Sequence, residues 1–286
     1  MITFDMLGNY GELGNQFFQI AVTSVEALKN ETNAVFPRWQ CGKSYRVYSP
    51  ILRNPLDESL VPDSSGRVFH QDNHNWAPIP FKENMNLRGY FQSEKYWEGY
   101  FDYVRDELFT PAQYIVDHIE DKYKELLDAN DTVGVHIRSQ TRAAHDAPTI
   151  HLEPKVEYLK KAFAEFGKNK RYVIFSDNIP LMRHWFKDYD FTYIENGTPN
   201  INEHGQSAIG GTQKNPLFDN VVEMYLLSRL KDQITTSSSF GWWGAWLNKN
   251  PDKRVISMHE DMWFGDDLNH LNLSDLIPNS WQKIKS

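Results

Sequence analysis

The sequence contains a single cysteine, Cys41, among 286 residues. One thiol cannot form a disulfide within the chain, so a secreted fold built on a disulfide framework is excluded and a reducing compartment is favoured. The ten histidines show no H-x-x-H, H-E-x-x-H or cysteine-paired spacing. We therefore expect neither a bound metal nor another resident cofactor.

Positive charge is also scarce, because 38 acidic residues outnumber 30 basic ones and the formal net charge is −8. Proteins that bind nucleic acid or an anionic membrane surface need a basic excess. We therefore expect no nucleic-acid partner. A local basic pocket for one small anionic ligand remains compatible with this balance.

Long apolar runs are absent as well. No stretch approaches the roughly 20 apolar residues of a membrane-spanning helix, and the N-terminal MITFDMLGNYG lacks the apolar stretch of a signal peptide. We therefore expect no membrane span and a cytoplasmic location. The sequence also contains no P-loop and no G-x-S-x-G motif.

The second half of the sequence alternates short apolar segments with amphipathic ones. The predicted strands are TVGVHIRS, RYVIFSDN, FTYIEN, QITTSS and, as the last, RVISM. The predicted helices between them are EPKVEYLKKAFAEFGKN, IPLMRHWFKDY, PLFDNVVEMYLLSRLKD and FGWWGAWLNKN. Strands separated by helices of this length predict an α/β fold with a parallel sheet and right-handed crossovers. Such sheets bind ligands at the carboxyl ends of their strands.

The first half is less regular. A strand at residues 2–7, a glycine-containing turn and the helix NQFFQIAVTSVEALKN form a first βα unit. Residues 37–90 are predicted to be irregular, and YIVDHIEDKYKELLDAN to be one amphipathic helix. The length suits two modest domains, which we place at 1–125 and 126–286.

The segment HIRSQTRAAHD follows a predicted strand and concentrates positive charge. His136 and Arg138 share one face of that strand, and Arg142 and His145 follow them. An arginine provides a planar fork of donors that matches phosphate oxygens. The segment therefore indicates a phosphate site, although an ordinary surface ion-pair network explains it equally well.

Two further strand ends carry polar groups. Asp177 is placed to accept hydrogen bonds from a ribose or a base, or to cap the following helix. Ser237, Ser238 and Ser239 lie where a strand meets the start of a helix. Helix starts attract anions through unpaired N–H groups and the helix dipole, and serine hydroxyls add donors.

The tryptophans after these serines, Trp242, Trp243 and Trp246, have the helical spacing that is typical of core packing. The loop LGNYGELGNQ has glycines three apart, which is not a dinucleotide-binding fingerprint. On its spacing alone, a plain tight turn is favoured over a ligand-binding loop.

Five stretches, in this order, resemble the glycosyltransferase family 11 α-1,2-fucosyltransferases of the compact bacterial or viral type. They are GELGNQFFQIA, GYFQSEKYW, VGVHIRS, YVIFSDN and VVEMYLLSRLKDQITTSSSFGWWGAWL. The last stretch is the most specific of the five. From the first to the last they span most of the chain.

The resemblance implies a GT-B-type fold, with two Rossmann-like halves whose parallel sheets face a cleft. It also implies an inverting, metal-independent transfer of fucose from GDP-fucose to a sugar hydroxyl of a glycan. The first half would then be the acceptor side and the second half the donor side. The implied donor-binding residues are His136, Arg138, Arg142, Asp177, Ser237, Ser238, Ser239, Gly14, Asn15 and Gln16. Of these, Arg138 and the serines would bind the diphosphate, Asp177 would lie near the guanosine, and Gly14 to Gln16 near the donor sugar.

The sequence departs from the family pattern H-x-R-R-x-D at two positions, where it has Ser139 and Thr141. This departure leaves open a different GDP-sugar donor, and also a binding module without catalytic activity. For the general base we favour Asp146, since related enzymes carry an acidic residue shortly after the H-x-R strand, with His145 as the alternative. A further alternative is that both residues belong to a lid and take no part in the chemistry.

Aromatic residues in the irregular part of the first half are candidates for stacking against an acceptor sugar. They are Trp39, Tyr45, Tyr48 and Trp76.

Overall fold

A computed structural model of the chain describes residues 1–39, 51–59, 67–139, 156–195 and 216–285. The chain divides into two compact units. The first comprises Met1–Tyr114 and Leu271–Pro278, and the second comprises Ile115–His270 and Asn279–Ser286. Within the described ranges, no helix has the length and apolar character needed to cross a membrane.

The first unit contains a four-stranded parallel sheet. Its elements are β1 (Ile2–Thr3), α1 (Leu13–Lys29), β2 (Ala34–Val35), β3 (Val68–His70) and β4 (Met85–Arg88). The strand order is β2-β1-β4-β3, so the neighbours β1 and β4 come from distant parts of the sequence. A 3-10 helix at Glu94–Trp97 and a π-helix at Tyr103–Leu108 follow the sheet.

The prediction that residues 37–90 are irregular is wrong for β3 and β4. These strands have three and four residues, too few to show a clear alternation of apolar and polar side chains. β4 also carries a fully buried polar residue, Asn86, whose Oδ1 accepts a hydrogen bond from Asp5 N (3.1 Å). A buried amide satisfied by a distant backbone group is invisible to sequence periodicity.

The segment Leu271–Pro278 is held within the first unit through Asp275. Its carboxylate accepts hydrogen bonds from Trp76 N (3.1 Å) and from Lys95 Nζ. Asp275 is thus an anchor between the late segment and the body of the first unit.

The second unit is built on a six-stranded parallel sheet. Its strands are β5 (Thr132–Ile137), β6 (Arg171–Ser176), β7 (Thr192–Tyr193), β8 (Asp232–Thr235), β9 (Val255–Met258) and β10 (Gln282–Ile284). Its helices are α2 (Gln113–Lys122), α3 (Lys124–Asp128), α4 (Val156–Phe166), α5 (Ile179–Trp185), α6 (Pro216–Arg229) and α7 (Ser239–Trp246). Short 3-10 turns lie at Glu260–Met262 and Asp266–Leu268.

The predicted parallel sheet is confirmed, with two corrections at its margins. The single helix predicted for YIVDHIEDKYKELLDAN is two helices, since Tyr123 has a non-helical backbone (φ −119°, ψ 20°). RVISM is not the last strand, because β10 pairs with β9 in parallel. β10 has only three residues, and none of them is fully buried, so it lacks the apolar signature of the other strands.

Candidate functional site

The strand order of the second sheet identifies its ligand-binding edge. The order is β10-β9-β8-β5-β6-β7, so the chain proceeds outward from β5 through β6 to β7 and then returns to β8 on the other side of β5. In doubly wound sheets the ligand binds at the carboxyl ends of the two strands where the order reverses. Here these strands are β5, which leads into Arg138, and β8, which leads into Ser237.

Arg138 and Asp177 form an ion pair at this edge. Arg138 Nε lies 3.4 Å from Asp177 Oδ2, and the side chains are 29% and 28% exposed. Ser139 donates to Asp177 Oδ1 from both its backbone N and its Oγ, each at 2.8 Å. The carboxylate is thus fixed by a neighbouring loop and in turn orients the guanidinium, which is still partly exposed to solvent.

The helix-capping alternative for Asp177 is not what the structure shows. The N-cap of α5 is Asn178, whose Oδ1 accepts a hydrogen bond from Leu181 N (3.1 Å). Asp177 is therefore available to position Arg138. Its serine partner occupies the position where the family pattern has a second arginine.

His136 is buried beneath this ion pair. Its ring lies 5.1 Å from that of Phe240, and its Nδ1 has no hydrogen-bond partner among the described residues. Burial lowers the pKa of His136 to about 4, with a smaller opposing effect from Asp177 and a further lowering by Arg138. The imidazole is therefore neutral near pH 7. An ordinary surface ion-pair network does not describe this residue.

The start of α7 lies at the same edge. Ser238 is the N-cap in an extended conformation, and its side chain makes no capping hydrogen bond. The first helical hydrogen bond runs from Trp242 N to Ser238 O (3.0 Å), so the N–H groups of Ser239, Phe240 and Gly241 have no partner within the helix. These N–H groups and the helix dipole suit an anion. Ser237 is fully buried, Ser238 nearly so, and Ser239 is half-buried.

The tryptophans of α7 pack as predicted. Trp242, Trp243 and Trp246 are all buried, and the rings of Trp242 and Trp246 stack with centroids 6.0 Å apart. Trp243 meets both of them edge-on, at 5.0 and 5.4 Å. The aromatic cluster fixes α7, and so it also fixes the amide groups at the helix start.

The residues Gly14, Asn15 and Gln16 belong to the first unit, in the first turn of α1. Gln16 is fully buried, where its Oε1 accepts from Trp39 Nε1 (2.6 Å) and its Nε2 donates to Gly11 O (2.9 Å). Asn15 accepts from Gln92 Nε2 (2.7 Å). Both amides therefore organise loops of the first unit, and a contact with the donor sugar stays a prediction.

Trp39 is itself buried, so it packs against Gln16 and is not a surface for stacking a sugar. Trp76 is 44% exposed. Arg142, His145 and Asp146, and also Tyr45 and Tyr48, lie outside the described residues.

Sequence reasoning missed two residues that shape this edge. Thr236 Oγ1 accepts from Arg138 N (2.9 Å), and Thr236 N donates to His136 O (3.2 Å). Gly241 lets α7 approach β5, because a Cβ at this position would lie 2.7 Å from His136 Nδ1. A glycine inside a helix costs about 0.5–1 kcal/mol relative to alanine. A glycine inside the predicted helix FGWWGAWLNKN is therefore the feature of the sequence that indicates a packing role for Gly241.

The geometry agrees with a comparison of the whole sequence with protein families. Residues 9–266 match the family described as Glycosyl transferase family 11. The chain belongs to this family.

Named glycosyltransferases are among its relatives. An alpha-1,2-colitosyltransferase of Escherichia coli is 30% identical over 212 residues, which are 71% of this chain and 64% of the relative. The chain thus spans less than two thirds of that relative's length. The O-antigen biosynthesis glycosyltransferase WbnK of Escherichia coli is 27% identical over 82% of this chain and 71% of its own. A galactoside 2-alpha-L-fucosyltransferase of Caenorhabditis elegans is 24% identical over 96% of this chain and 75% of its own.

Solved structures share the fold of this family 11 chain. The fucosyltransferase NodZ from Bradyrhizobium superposes with a TM-score of 0.54 at 13% identity, covering 91% of this chain and 94% of NodZ. A mutant of Arabidopsis thaliana FUT1 in complex with GDP gives a TM-score of 0.52 at 12% identity, over 90% and 70% of the two chains. The predicted GT-B-type α/β architecture, with two parallel sheets, is thereby confirmed.

Proposed function

We propose that the protein is an inverting glycosyltransferase that moves L-fucose from GDP-fucose to a sugar hydroxyl, with α-1,2 linkage. The observation that carries this proposal is that Arg138 and the start of α7 follow two neighbouring strands, β5 and β8, at one edge of the sheet in a family 11 chain. The names of the α-1,2-colitosyltransferase and the galactoside 2-α-L-fucosyltransferase support the linkage. A NodZ crystal soaked with GDP-fucose shares the fold and supports the donor.

In the proposed reaction the acceptor hydroxyl attacks the fucose carbon as the diphosphate leaves on the opposite side. Arg138 and the N–H groups at the start of α7 neutralise the charge that develops on the diphosphate, so the reaction needs no metal. The ion pair with Asp177 holds the guanidinium in place before the donor arrives. Asp146 removes the proton from the acceptor hydroxyl, with His145 as the alternative base.

A second donor is favoured by one specific observation. The relative that is 30% identical is named for the transfer of colitose, not fucose. The same anion site would serve either sugar donor, because its groups bind the diphosphate and not the sugar. The sugar must therefore be established by experiment.

A screen of nucleotide sugars by thermal unfolding tests the proposal. GDP-fucose at 100 times its dissociation constant should stabilise the protein by about 2.7 kcal/mol, and GDP should stabilise it as well. Arg138→Ala should abolish both effects, whereas Arg183→Ala is a matched control, since Arg183 lies on α5 and pairs with Glu195. Stabilisation by UDP-sugars without any by GDP would contradict the proposal.

Transfer itself is then measured with the donor that stabilises best. Comparing the anomeric configuration of donor and product by NMR tests inversion, and the carbon that bears the new linkage tests the α-1,2 assignment. Turnover that survives EDTA would support the metal-independent mechanism. Binding of GDP with neither transfer nor slow hydrolysis of any GDP-sugar would instead indicate a binding module.

A further inference from the structure

Two tyrosines stack at the carboxyl edge of the sheet in the first unit. Tyr10 lies in the loop after β1 and Tyr90 in the loop after β4, and these strands are neighbours in the sheet. Their ring centroids are 4.8 Å apart with an interplanar angle of 25°. Both rings are half-buried, and Tyr90 also stacks with His74 (centroids 5.8 Å apart, 25°), so Tyr10 is the ring of the pair that is left to face a ligand at the edge where parallel sheets bind them.

The loop that carries Tyr10 is held by hydrogen bonds from two side chains of α1. Gln19 Nε2 donates to Tyr10 O (2.7 Å), and Gln16 Nε2 donates to Gly11 O (2.9 Å). Gly11 has a left-handed backbone (φ +87°), which a residue with a Cβ adopts only with strain. Two buried glutamines thus fix the consecutive carbonyl groups of Tyr10 and Gly11. If Tyr10 only packed against the core, its loop would not need these two hydrogen bonds.

The loop that carries Tyr90 is held as firmly. Gln71 Oε1 accepts hydrogen bonds from Tyr90 N (2.9 Å) and Phe91 N (2.7 Å). Phe91 has φ +51°, in the left-handed region that a bulky residue rarely adopts. Backbone strain of this kind persists where the surroundings enforce it, and it is concentrated at binding and catalytic sites.

A polar pair follows the two tyrosines closely in the sequence, with Gln92 two residues after Tyr90 and Asn15 five residues after Tyr10. Gln92 Nε2 donates to Asn15 Oδ1 (2.7 Å), so the residue after Phe91 is tied to the start of α1. Gln92 Oε1 is buried and has no hydrogen-bond partner among the described residues. An unsatisfied amide oxygen is a ready acceptor for a ligand hydroxyl. Aromatic surface with a few fixed, uncharged polar groups is the composition of a site for a neutral ligand.

We propose that Tyr10 and Tyr90, with Gln92, form the platform on which the pyranose ring of the acceptor sugar lies. The apolar C–H face of the pyranose packs on the Tyr10 ring, which Tyr90 supports from its other side, and its hydroxyls reach the tyrosine hydroxyls and Gln92 Oε1. This inference rests on the proposed transfer to a sugar hydroxyl. It assigns Tyr10 and the GYFQ segment to the acceptor.

The test uses the full chain, with lactose and methyl β-galactopyranoside as probes. The acceptor KM and the GDP dissociation constant are measured for the parent, Tyr10→Ala, Tyr10→Phe and Tyr90→Ala. Tyr10→Ala should raise the acceptor KM at least tenfold while the GDP dissociation constant changes less than twofold. Tyr10→Phe keeps the ring and should change the acceptor KM less than about threefold. Tyr114→Ala, at a more exposed tyrosine on α2, should change neither value.

Two results would overturn the platform. The first is an unchanged acceptor KM in folded Tyr10→Ala. If Tyr90→Ala does not fold, this variant alone tests the platform. The second is a rise in acceptor KM for Trp76→Ala but not for Tyr10→Ala, which would place the sugar on Trp76. Saturation-transfer NMR with the galactoside separates this proposal from the proposed reaction, because it reports sugar binding without turnover. A signal that Tyr10→Ala removes would support the platform even if no donor were transferred.

Discussion

Ser139 donates two hydrogen bonds to one oxygen of Asp177, one from its backbone N–H and one from its hydroxyl, both 2.8 Å long. The other oxygen of Asp177 faces Arg138. The residue that replaces the second arginine of the family pattern therefore acts on the first arginine, through a carboxylate. The replacement changes how the basic site is supported and leaves its principal cation in place.

We expect Ser139→Ala to weaken GDP binding about tenfold, equivalent to ~1.4 kcal/mol, because one charge-assisted hydrogen bond to Asp177 is lost. Isothermal titration with GDP measures the effect. Ser139→Thr keeps the hydroxyl and should bind GDP nearly as the parent does. Equal GDP affinity in the parent and Ser139→Ala would show that Asp177 needs no such support.

Gly241→Ala should destabilise the fold by about 1–3 kcal/mol, because the new methyl group would lie 2.7 Å from His136 Nδ1. Urea unfolding gives the free energy. The double variant with His136→Ala makes room for the methyl group and should recover part of the loss. Alanine otherwise favours helix, so a Gly241→Ala protein more stable than the parent would show that the contact is relieved without cost.

The stability of the protein should fall as the pH drops from 6.5 towards 4. Burial lowers the pKa of His136 to about 4, whereas in the unfolded chain this side chain takes up a proton near pH 6.5. The contribution of neutral His136 is therefore complete above pH 6.5, and up to about 3 kcal/mol of it is lost as the pH falls to 4. Urea unfolding at pH 7 and pH 5 should show a larger loss for the parent than for His136→Asn. Equal losses would contradict a buried neutral imidazole.

Substitutions of the serines and of the tryptophans at the start of α7 should affect different properties, namely GDP affinity and stability. Trp246→Ala should cost about 3–5 kcal/mol of stability, because a buried ring leaves a cavity. Ser238→Ala should leave the melting temperature nearly unchanged, since this side chain makes no capping hydrogen bond, and should weaken GDP binding. Thermal unfolding and GDP titration of both variants make the comparison. The reverse pattern would remove the serines from the donor site.

Asp146→Asn should lower turnover by about 10²-fold or more while GDP affinity stays intact, because the amide cannot accept the proton of the acceptor hydroxyl. His145→Gln is the companion variant. Near-normal turnover in Asp146→Asn with a large loss in His145→Gln would transfer the role of base to the histidine. Rates are measured under saturating acceptor, so that a change in KM does not obscure the chemical step.

Much of the second unit follows from its sequence. Its principal strands are apolar runs separated by helices, and the rule that parallel sheets bind ligands at their carboxyl edge brought Arg138, Asp177 and the serines to one place. The contacts within that place could not be predicted in the same way. Thr236 and Arg138 lie 98 residues apart in sequence, and Ser139 and Asp177 lie 38 apart. Such pairs depend on the register between strands, which periodicity within one strand does not reveal.

The first unit shows the same limit more strongly. β1 has two residues and β4 has four, so neither gives a long pattern, yet their adjacency brings Tyr10 to Tyr90. The reason for two buried glutamines on α1 is apparent only from the structure. Gln16 and Gln19 lie on the buried side of α1, and their amide nitrogens donate to loop carbonyls that the sequence cannot place.

The segment Leu271–Pro278 makes the two units interdependent in synthesis. The ribosome completes Met1–Tyr114 first, but the anchor at Asp275 emerges only after nearly all of the second unit has been translated. The first unit therefore cannot be completed until most of the second unit has been synthesised. An expression fragment that ends at Tyr114 lacks a piece of its own unit, and a deletion of the last 16 residues removes β10 together with the whole of that piece. Fragments for crystallography or labelling should keep the chain whole, or should append residues 271–278 to the first unit through a linker.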